Sequence, residues 1–90
     1  MTKLEKKLIE LGYIKSSIFF VNENRTVVGY ENCKWACLYV EITFFKETNK
    51  IHTARLNLYD KEITHYSQVE EIQQAFNELQ RDLEELKLCQ

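Results

Sequence analysis

The stretch from Trp35 to Lys46, WACLYVEITFFK, is the longest run in the chain that is typical of a β-strand. Its apolar side chains recur at every second residue, which places them on one face of a pleated strand. These residues are Ala36, Leu38, Val40, Ile42 and Phe44. The opposite face, which we call the second face, carries Trp35, Cys37, Tyr39, Glu41, Thr43 and Phe45. The first face predicts a hydrophobic core, and the rings and polar groups of the second face indicate an additional use.

The residues that follow this stretch predict a hairpin. A turn around Thr48 to Lys50 leads into a strand from Ile51 to Tyr59, with Asn49 or Lys50 in the left-handed conformation of a three-residue loop. The expected register pairs Phe44 with Ala54, Ile42 with Leu56, Val40 with Leu58, Thr43 with Arg55, Glu41 with Asn57 and Tyr39 with Tyr59. A slip of one residue would set core side chains opposite polar ones, so we expect the two apolar faces to coincide.

The N-terminal third of the chain predicts a short helix. Thr2 followed by Glu5 is a capping-box pattern, and Gly12 supplies a stop, so the helix is expected over about residues 3 to 11. Strands are expected over residues 14–21 and 26–30, with a turn over residues 31–34. Gly29 inside the second of these strands indicates a bulge or the close approach of a helix.

The C-terminal part predicts a long helix over about residues 68 to 88, with Ser67 and Glu70 as a second capping box. Its apolar residues follow heptad spacing: Val69, Ile72, Phe76, Leu79, Leu83 and Leu86. At 1.5 Å per residue the helix would be about 31 Å long, close to a ten-residue strand, so we expect it to cover the core face of the hairpin. An intermolecular coiled coil is the alternative for this heptad pattern.

The whole chain, residues 1–90, is therefore predicted to form a single α+β domain. Its elements are expected in the order α-β-β-β-β-α, with a four-stranded antiparallel meander and the long C-terminal helix packed on one face. The net charge is −2, with 12 basic against 14 acidic residues, which argues against a general polyanion binder and makes nucleic acid an unfavoured partner. The N-terminus has no apolar run of signal-peptide or membrane-spanning length, so we expect no membrane association and a cytoplasmic protein with reduced cysteines.

No stretch matches a catalytic, metal-binding or nucleotide-binding motif. If Cys33 and Cys37 share one extended strand they are about 13 Å apart, too far for one metal ion or a disulfide. Neither serines nor cysteines occur in a strand-turn-helix context typical of a nucleophile. We therefore expect no enzyme activity, no metal and no cofactor.

The second face and the last helix are the candidate interaction surfaces. On the sheet we expect an interaction face formed by Trp35, Tyr39, Glu41, Phe45, Arg55 and Tyr59. Exposed rings in this number mark an interface. On the helix we expect an acidic interaction face formed by Glu70, Glu71, Glu78, Asp82 and Glu85, with Glu84 beside them, suited to a basic surface of a target.

These surfaces favour a small non-enzymatic protein-interaction module that forms a homodimer through the second face or the heptad helix. The compact, proline-free chain suggests an accessory or inhibitor protein of a mobile element such as a phage, directed at a host or defence protein. Binding of single-stranded nucleic acid or of a flat small ligand to the rings is the alternative function. A further possibility is that the first helix or the connector over residues 60–66 covers the second face.

Overall fold

The computed structural model describes residues 2–22, 25–35, 38–58 and 66–89, with the side chains of residues 17–22, 34, 35, 58 and 66–68 excepted. Its elements are α1 (Lys3–Glu10), β1 (Ile14–Asn22), β2 (Arg25–Trp35), β3 (Leu38–Phe45), β4 (Ile51–Leu58) and α2 (Tyr66–Lys87). The strands form an antiparallel sheet in the order β1-β2-β3-β4. The predicted α+β fold, an antiparallel meander followed by a long helix, is confirmed.

The hydrophobic core lies between one face of the sheet and both helices. It contains Leu4 and Leu8 of α1, Leu79 and Leu86 of α2, and Val28, Tyr30, Val40, Ile42 and Phe44 of the sheet. The core face predicted for β3 is confirmed from Leu38 to Phe44, whereas Ala36 lies outside the described residues. Because α1 and α2 share this cluster, the suggestion that α1 covers the second face is wrong, and residues 60–65 of the connector, the other suggested cover, lie outside the described residues.

Helix α1 begins and ends with the side chains that its sequence predicts. The Thr2 hydroxyl accepts a hydrogen bond from the Glu5 amide at 3.2 Å. Gly12 has φ +94°, and its amide donates to the carbonyl of Ile9 while that of Tyr13 donates to Leu8. These two backbone hydrogen bonds form a Schellman motif, which ends the helix and turns the chain sharply into β1.

The boundary between β2 and β3 differs from the prediction. Strand β2 continues to Trp35, so residues 31–34 are part of a strand rather than a turn, and Trp35 does not belong to β3. The register shifts by one residue between the pair Asn32–Val40 and the pair Trp35–Leu38, so Cys33 and Lys34 lie opposite the single residue Tyr39. Each further pairing satisfies backbone groups that a turn would leave to water, so the ladder extends through the polar ENCK segment despite its turn-like composition.

The register of β3 with β4 is shifted by two residues from the prediction. Ile42 lies opposite Ala54, Val40 opposite Leu56, Glu41 opposite Arg55 and Tyr39 opposite Asn57. The loop is longer than expected: the Phe45 amide donates to the Lys50 carbonyl, and Asn49, at φ 58°, adopts the predicted left-handed conformation. His52 is an extra residue between two register pairs, and this bulge brings Ile51 onto the core face together with Ala54. The parity of the faces is preserved, because the shift is an even number of residues.

Strand β1 forms an irregular edge of the sheet. Its register against β2 changes between Lys15 and Ile18 and again between Ile18 and Phe20. The first change sets two residues of β1 opposite Gly29, so the irregularity that Gly29 indicated lies in the strand beside it. Both strands are longer than predicted.

Helix α2 is rotated relative to its predicted packing. It begins at Tyr66, so Ser67 lies inside the first turn and not at the N-cap. Val69 and Phe76 of the heptad stripe are 53% and 47% exposed, whereas Ala75 and Asp82 are buried. The reason is that α2 packs against α1 as well as against the sheet, and this turns the side that carries Ala75 and Asp82 inward.

Candidate functional site: the second face of the sheet

The second face is formed in the structure by alternate residues of β3 and their register partners. They are Tyr39, Glu41, Thr43 and Phe45 with Val27, Gly29 and Glu31 of β2 and Thr53, Arg55 and Asn57 of β4. Neither α1 nor α2 packs here, since both contribute to the core on the other side. The centre of the second face is nevertheless buried, since Val27, Thr43 and Glu41 are 1%, 4% and 8% exposed. Its accessible groups are Arg55 and parts of the Tyr39 and Phe45 side chains.

The centre of the second face holds a polar triad. Glu41 is 8% exposed, and its carboxylate accepts from the Asn57 amide at 3.3 Å and lies 3.5 Å from Nε of Arg55. The Arg55 side chain remains 58% exposed. A pair with one exposed partner contributes only about 0.2–1 kcal/mol to folding. Its main effect is positional, because the buried carboxylate fixes a guanidinium that still faces water.

A hydroxyl cluster lies next to this triad. Thr43 Oγ1 lies 2.6 Å from Thr53 Oγ1 and 3.3 Å from Nδ1 of His52, and it accepts from the Thr53 amide at 3.1 Å. A hydroxyl beside an imidazole is one part of a nucleophilic site. Here the Thr43 hydroxyl is buried and already engaged by its neighbours, so the cluster closes the bulge at His52.

The turn end of the second face combines an aromatic ring with cations. The guanidinium of Arg25 lies 5.2 Å from the centroid of the half-buried Phe45 ring, and the His52 ring meets its edge at 4.9 Å. A surface cavity of about 340 Å³ opens beside them, lined also by Thr48 and Lys50. Cation–π contacts of this kind hold Arg25 over the ring while leaving donors for a ligand.

Glu47 is the acidic residue on the rim of this cavity. Both of its carboxylate oxygens accept from the Thr26 amide, at 2.8 and 2.9 Å. This hydrogen bond lowers the pKa of Glu47, helped by the charge of Lys46. The Glu47 carboxylate is thus directed at the backbone at the start of β2. The basic groups that line the cavity are those of Arg25 and Lys50.

The aromatic residues predicted for the second face lie in different positions in the structure. Tyr39 and Phe45 are both half-buried on β3, but Tyr39 lies opposite Asn57, so the predicted Tyr39–Tyr59 pair is wrong. Trp35 ends β2, and its side chain is outside the description, as is the whole of Tyr59. Glu41 and Arg55 lie directly opposite each other across β3 and β4, whereas the predicted register set them on a diagonal of the same face.

The acidic face predicted on α2 is smaller than expected. Asp82 is 2% exposed and accepts a hydrogen bond from the Tyr13 hydroxyl at 3.0 Å, so its placement on the outer surface was wrong. The reason is the rotation of α2, which aims Asp82 at the start of β1. Burial and the charge of Asp82 raise the pKa of Tyr13, which remains a neutral donor.

The other acids of α2 differ in their surroundings. Glu85 lies 3.3 Å from Nζ of Lys7, an interaction that raises the pKa of this lysine and ties α2 to α1. Glu84 lies 3.4 Å from Lys87 in the same helix. Glu70 is exposed, and Glu71 and Glu78 are half-buried. The predicted acidic surface is thus broken by partners of opposite charge.

Sequence patterns did not single out Arg25, Val27 and His52 as parts of this surface. Arg25 precedes the predicted strand over residues 26–30, yet it opens β2 and pairs in register with Asn22. Val27 lies opposite Phe45, and the parity that it shares with Gly29 and Glu31 was the available signal. His52 reaches the Phe45 ring only because of the bulge, which no local pattern specified.

The described part of the chain offers few alternatives to this surface. Within residues 2–22, 25–35, 38–58 and 66–89, no three His, Cys, Asp or Glu side chains converge to hold a metal ion, and Cys37 lies outside these ranges. No described helix is both long and apolar enough to cross a bilayer. Comparison with protein-family models, curated proteins and solved structures found no match to this chain. Its function must therefore be inferred from the side chains themselves.

Proposed function

We propose that this chain is a non-enzymatic protein-interaction module that binds a protein partner through the second face. The observation that carries the proposal is the packing of both helices on the opposite side of the sheet, which leaves the exposed Arg55 and the half-buried rings of Tyr39 and Phe45 on the second face. We further propose that it acts as a homodimer in the cytoplasm, as an accessory or inhibitor protein of a mobile element. A foreign protein would then be its target.

The chemistry of the second face fits protein recognition. Tyr39 and Phe45 stand at two ends of the β3 row, with the Glu41–Arg55 pair between them. Tyr, Phe and Arg are enriched at interfaces, where rings supply buried area at a small cost in rotamer entropy. Because Glu41 orients Arg55 before binding, little freedom is left for a partner to remove.

The size of the surface favours a transient complex. Strands β3 and β4 have eight residues each, so the face is about 26 Å long, and four strands make it about 19 Å wide. This area is at the low end of the range for specific complexes. We therefore expect dissociation constants in the micromolar range, with one or two residues dominating.

The proposal is tested by comparing capture of partner proteins on four immobilised chains. Native protein, Tyr39→Ala, Arg55→Ala and the control Arg81→Ala, on the outer side of α2, are exposed to the same lysate and quantified. We expect one set of proteins to bind native chain and the control but not the two second-face variants. Thermal unfolding checks that all four are folded. Equal capture by every chain, or no capture, would contradict the proposal.

Binding of a flat anionic ligand is the second candidate function, and the cavity beside Phe45 favours it. Arg25 and Lys50 supply positive charge next to a ring, within a volume suited to a single nucleotide or a small aromatic acid. Titration with a nucleoside monophosphate, followed by NMR shifts of the Phe45 ring, tests it. The expected shifts disappear in Arg25→Ala and at high salt, and an absence of shifts in the native chain rejects the site.

A further inference from the structure

One flank of α2 is apolar and faces away from α1. Val69, Phe76 and Leu83 are spaced by seven residues and form a single row along the helix, which we call the flank row. The row that includes Ala75 and Asp82 lies about 100° away around the helix, where Asp82 bonds to Tyr13. The flank row is consequently directed towards the opposite edge of the sheet.

Strand β4 lies beneath the flank row and forms that edge. Leu83 lines a groove of about 390 Å³ together with Ile51 and Ala54 of β4, with Lys50 and Lys87 at its rim. Beyond Leu83, the flank row becomes exposed at Phe76 and Val69. A groove that joins strand and helix thus opens sideways from the molecule.

The backbone of β4 has an outer edge that pairs with none of the described strands. Its eight residues bond to β3 on the inner side only. Natural proteins cover such edges, charge them or distort them. The opposite edge, β1, is distorted by two register shifts, whereas β4 is regular from Thr53 to Leu58.

The stretch of the flank row between Val69 and Leu83 is poor in charged neighbours, whereas Lys50 and Lys87 border the groove at its end. The positions next to the flank row on its outer side, Gln73 and Gln80, are exposed glutamines, so no charged side chain occurs between Val69 and Leu83 on this flank. Charged residues make up 29% of the chain. Depletion of charge around exposed rings is the composition that distinguishes the centre of an interface from ordinary surface.

We propose that a second copy of this chain docks on the β4 edge and the flank row, related by a two-fold axis. The two β4 strands pair antiparallel and join the sheets into one of eight strands, while the two α2 helices pack side by side. Because Val69 and Leu83 are each seven residues from Phe76, an antiparallel arrangement centred on Phe76 sets Val69 opposite Leu83 of the second copy. The same symmetry sets Gln73 opposite Leu79 of the second copy, so that Gln73 lies one residue from the Gln80 of that copy.

The spacing favours a copy of the same chain over a foreign partner. A row that is symmetric about its centre is self-complementary under a two-fold axis, as a closed homodimer requires. This inference locates the homodimer named in the proposed function, but it leaves the second face of both copies open on the same side. The two surfaces can therefore be tested separately.

The first test is the solution mass by light scattering across a dilution series from about 1 to 500 µM, a range suited to an interface of this size. Native chain is compared with Phe76→Glu, with the control Gln74→Glu on the outer side of α2, and with Tyr39→Glu on the second face. We expect Phe76→Glu to raise the dimer dissociation constant about 1,000-fold, because the two-fold axis would bring the carboxylates introduced in both copies close together in the interface. The control and Tyr39→Glu are expected to remain dimers.

A second test replaces only exposed polar side chains, in case Phe76→Glu does not fold. One copy carries Gln73→Glu with Gln80→Glu and the other carries Gln73→Lys with Gln80→Lys, all at exposed positions. Each variant by itself is expected to form a weaker homodimer, because like charges face each other across the interface. An equal mixture of the two variants is expected to form heterodimers in excess of the statistical share. A monomeric native chain, a dimer dissociated by Tyr39→Glu alone, or a statistical mixture of copies would overturn this proposal.

Discussion

The hydrogen bond between Tyr13 and Asp82 joins the two ends of the domain, and its removal is the sharpest test of the packing. Tyr13→Phe deletes one oxygen and leaves the ring in the core, where Tyr13 is buried. The deleted bond is 3.0 Å long and its acceptor is a buried carboxylate. Hydrogen bonds to charged groups are worth about 1.5–3 kcal/mol, so we expect a loss of about 2 kcal/mol in the free energy of unfolding. For a domain of this size, this loss lowers Tm by about 8–16 °C.

The pH dependence of the same variant gives an independent check. Burial first, and then the charge of Asp82, raise the pKa of Tyr13, whereas an unfolded tyrosine titrates near pH 10. Above about pH 10 the unfolded chain loses a proton that the folded chain keeps, so native stability falls as pH rises, by up to about 1.4 kcal/mol per pH unit. The pKa of Tyr30 is also raised by burial, so Tyr13→Phe retains part of this slope but not all of it.

The assay is urea unfolding followed by circular dichroism, for native chain and Tyr13→Phe, at about pH 8 and at several values above pH 10. The expected result is a stability difference at about pH 8 that shrinks as the pH rises. Asp82→Asn is the matched variant, because it keeps an acceptor for Tyr13 but removes the charge. Equal stability of native chain and Tyr13→Phe at about pH 8, with parallel slopes above pH 10, would refute the account of this bond.

Three further predictions concern local structure. Gly12→Ala is expected to destabilise by about 1–2 kcal/mol in thermal unfolding, because φ is +94° and the new Cβ would lie 3.1 Å from Nδ2 of Asn32; a Gly12→Asn variant that is no better tolerated than alanine would contradict the conformational cause. Thr43→Val should cost about 1–3 kcal/mol, because it removes the hydroxyl that the Thr53 amide donates to beside the bulge, and unchanged stability would show that the cluster does not hold it. Glu47→Gln should lower the free energy of unfolding at neutral pH only, since the pKa of Glu47 is lowered in the fold. The stabilisation by this carboxylate is present above the unfolded pKa and is lost as the pH falls through the folded pKa. A stability difference between native chain and Glu47→Gln that persists in acid would argue against this cause.

Local patterns predicted the parts of this fold whose partners are near in sequence. Alternation along β3 indicated the core face from Leu38 onwards, and Gly12 and Asn49 occupy the positive-φ positions that their types favour. Such features depend on a few neighbouring residues. They could therefore be predicted from the chain alone.

The parts that were missed depend on distant partners. The spacing of three between Ile51 and Ala54 hints at the bulge at His52, but the bulge is selected by the competition among registers across the whole sheet. The burial of Asp82 requires Tyr13, 69 residues away, and its position beside a heptad stripe is typical of an exposed acid. In the candidate site, both Glu41 and Arg55 were predicted on the second face, and only their direct opposition depends on the observed register.

The meander order has a consequence for how the chain folds. Every strand pairs with the strand before or after it in sequence, so each hairpin closes only a short loop. The union of α1 with α2 is different, because it brings together residues from opposite ends of the chain. Sequence-local closures carry little entropic penalty and are fast, whereas this last closure is slow and encloses the core. We therefore expect hairpins to assemble early, and the docking of the two helices to be the step at which cooperativity, and protection of the core from water, are acquired.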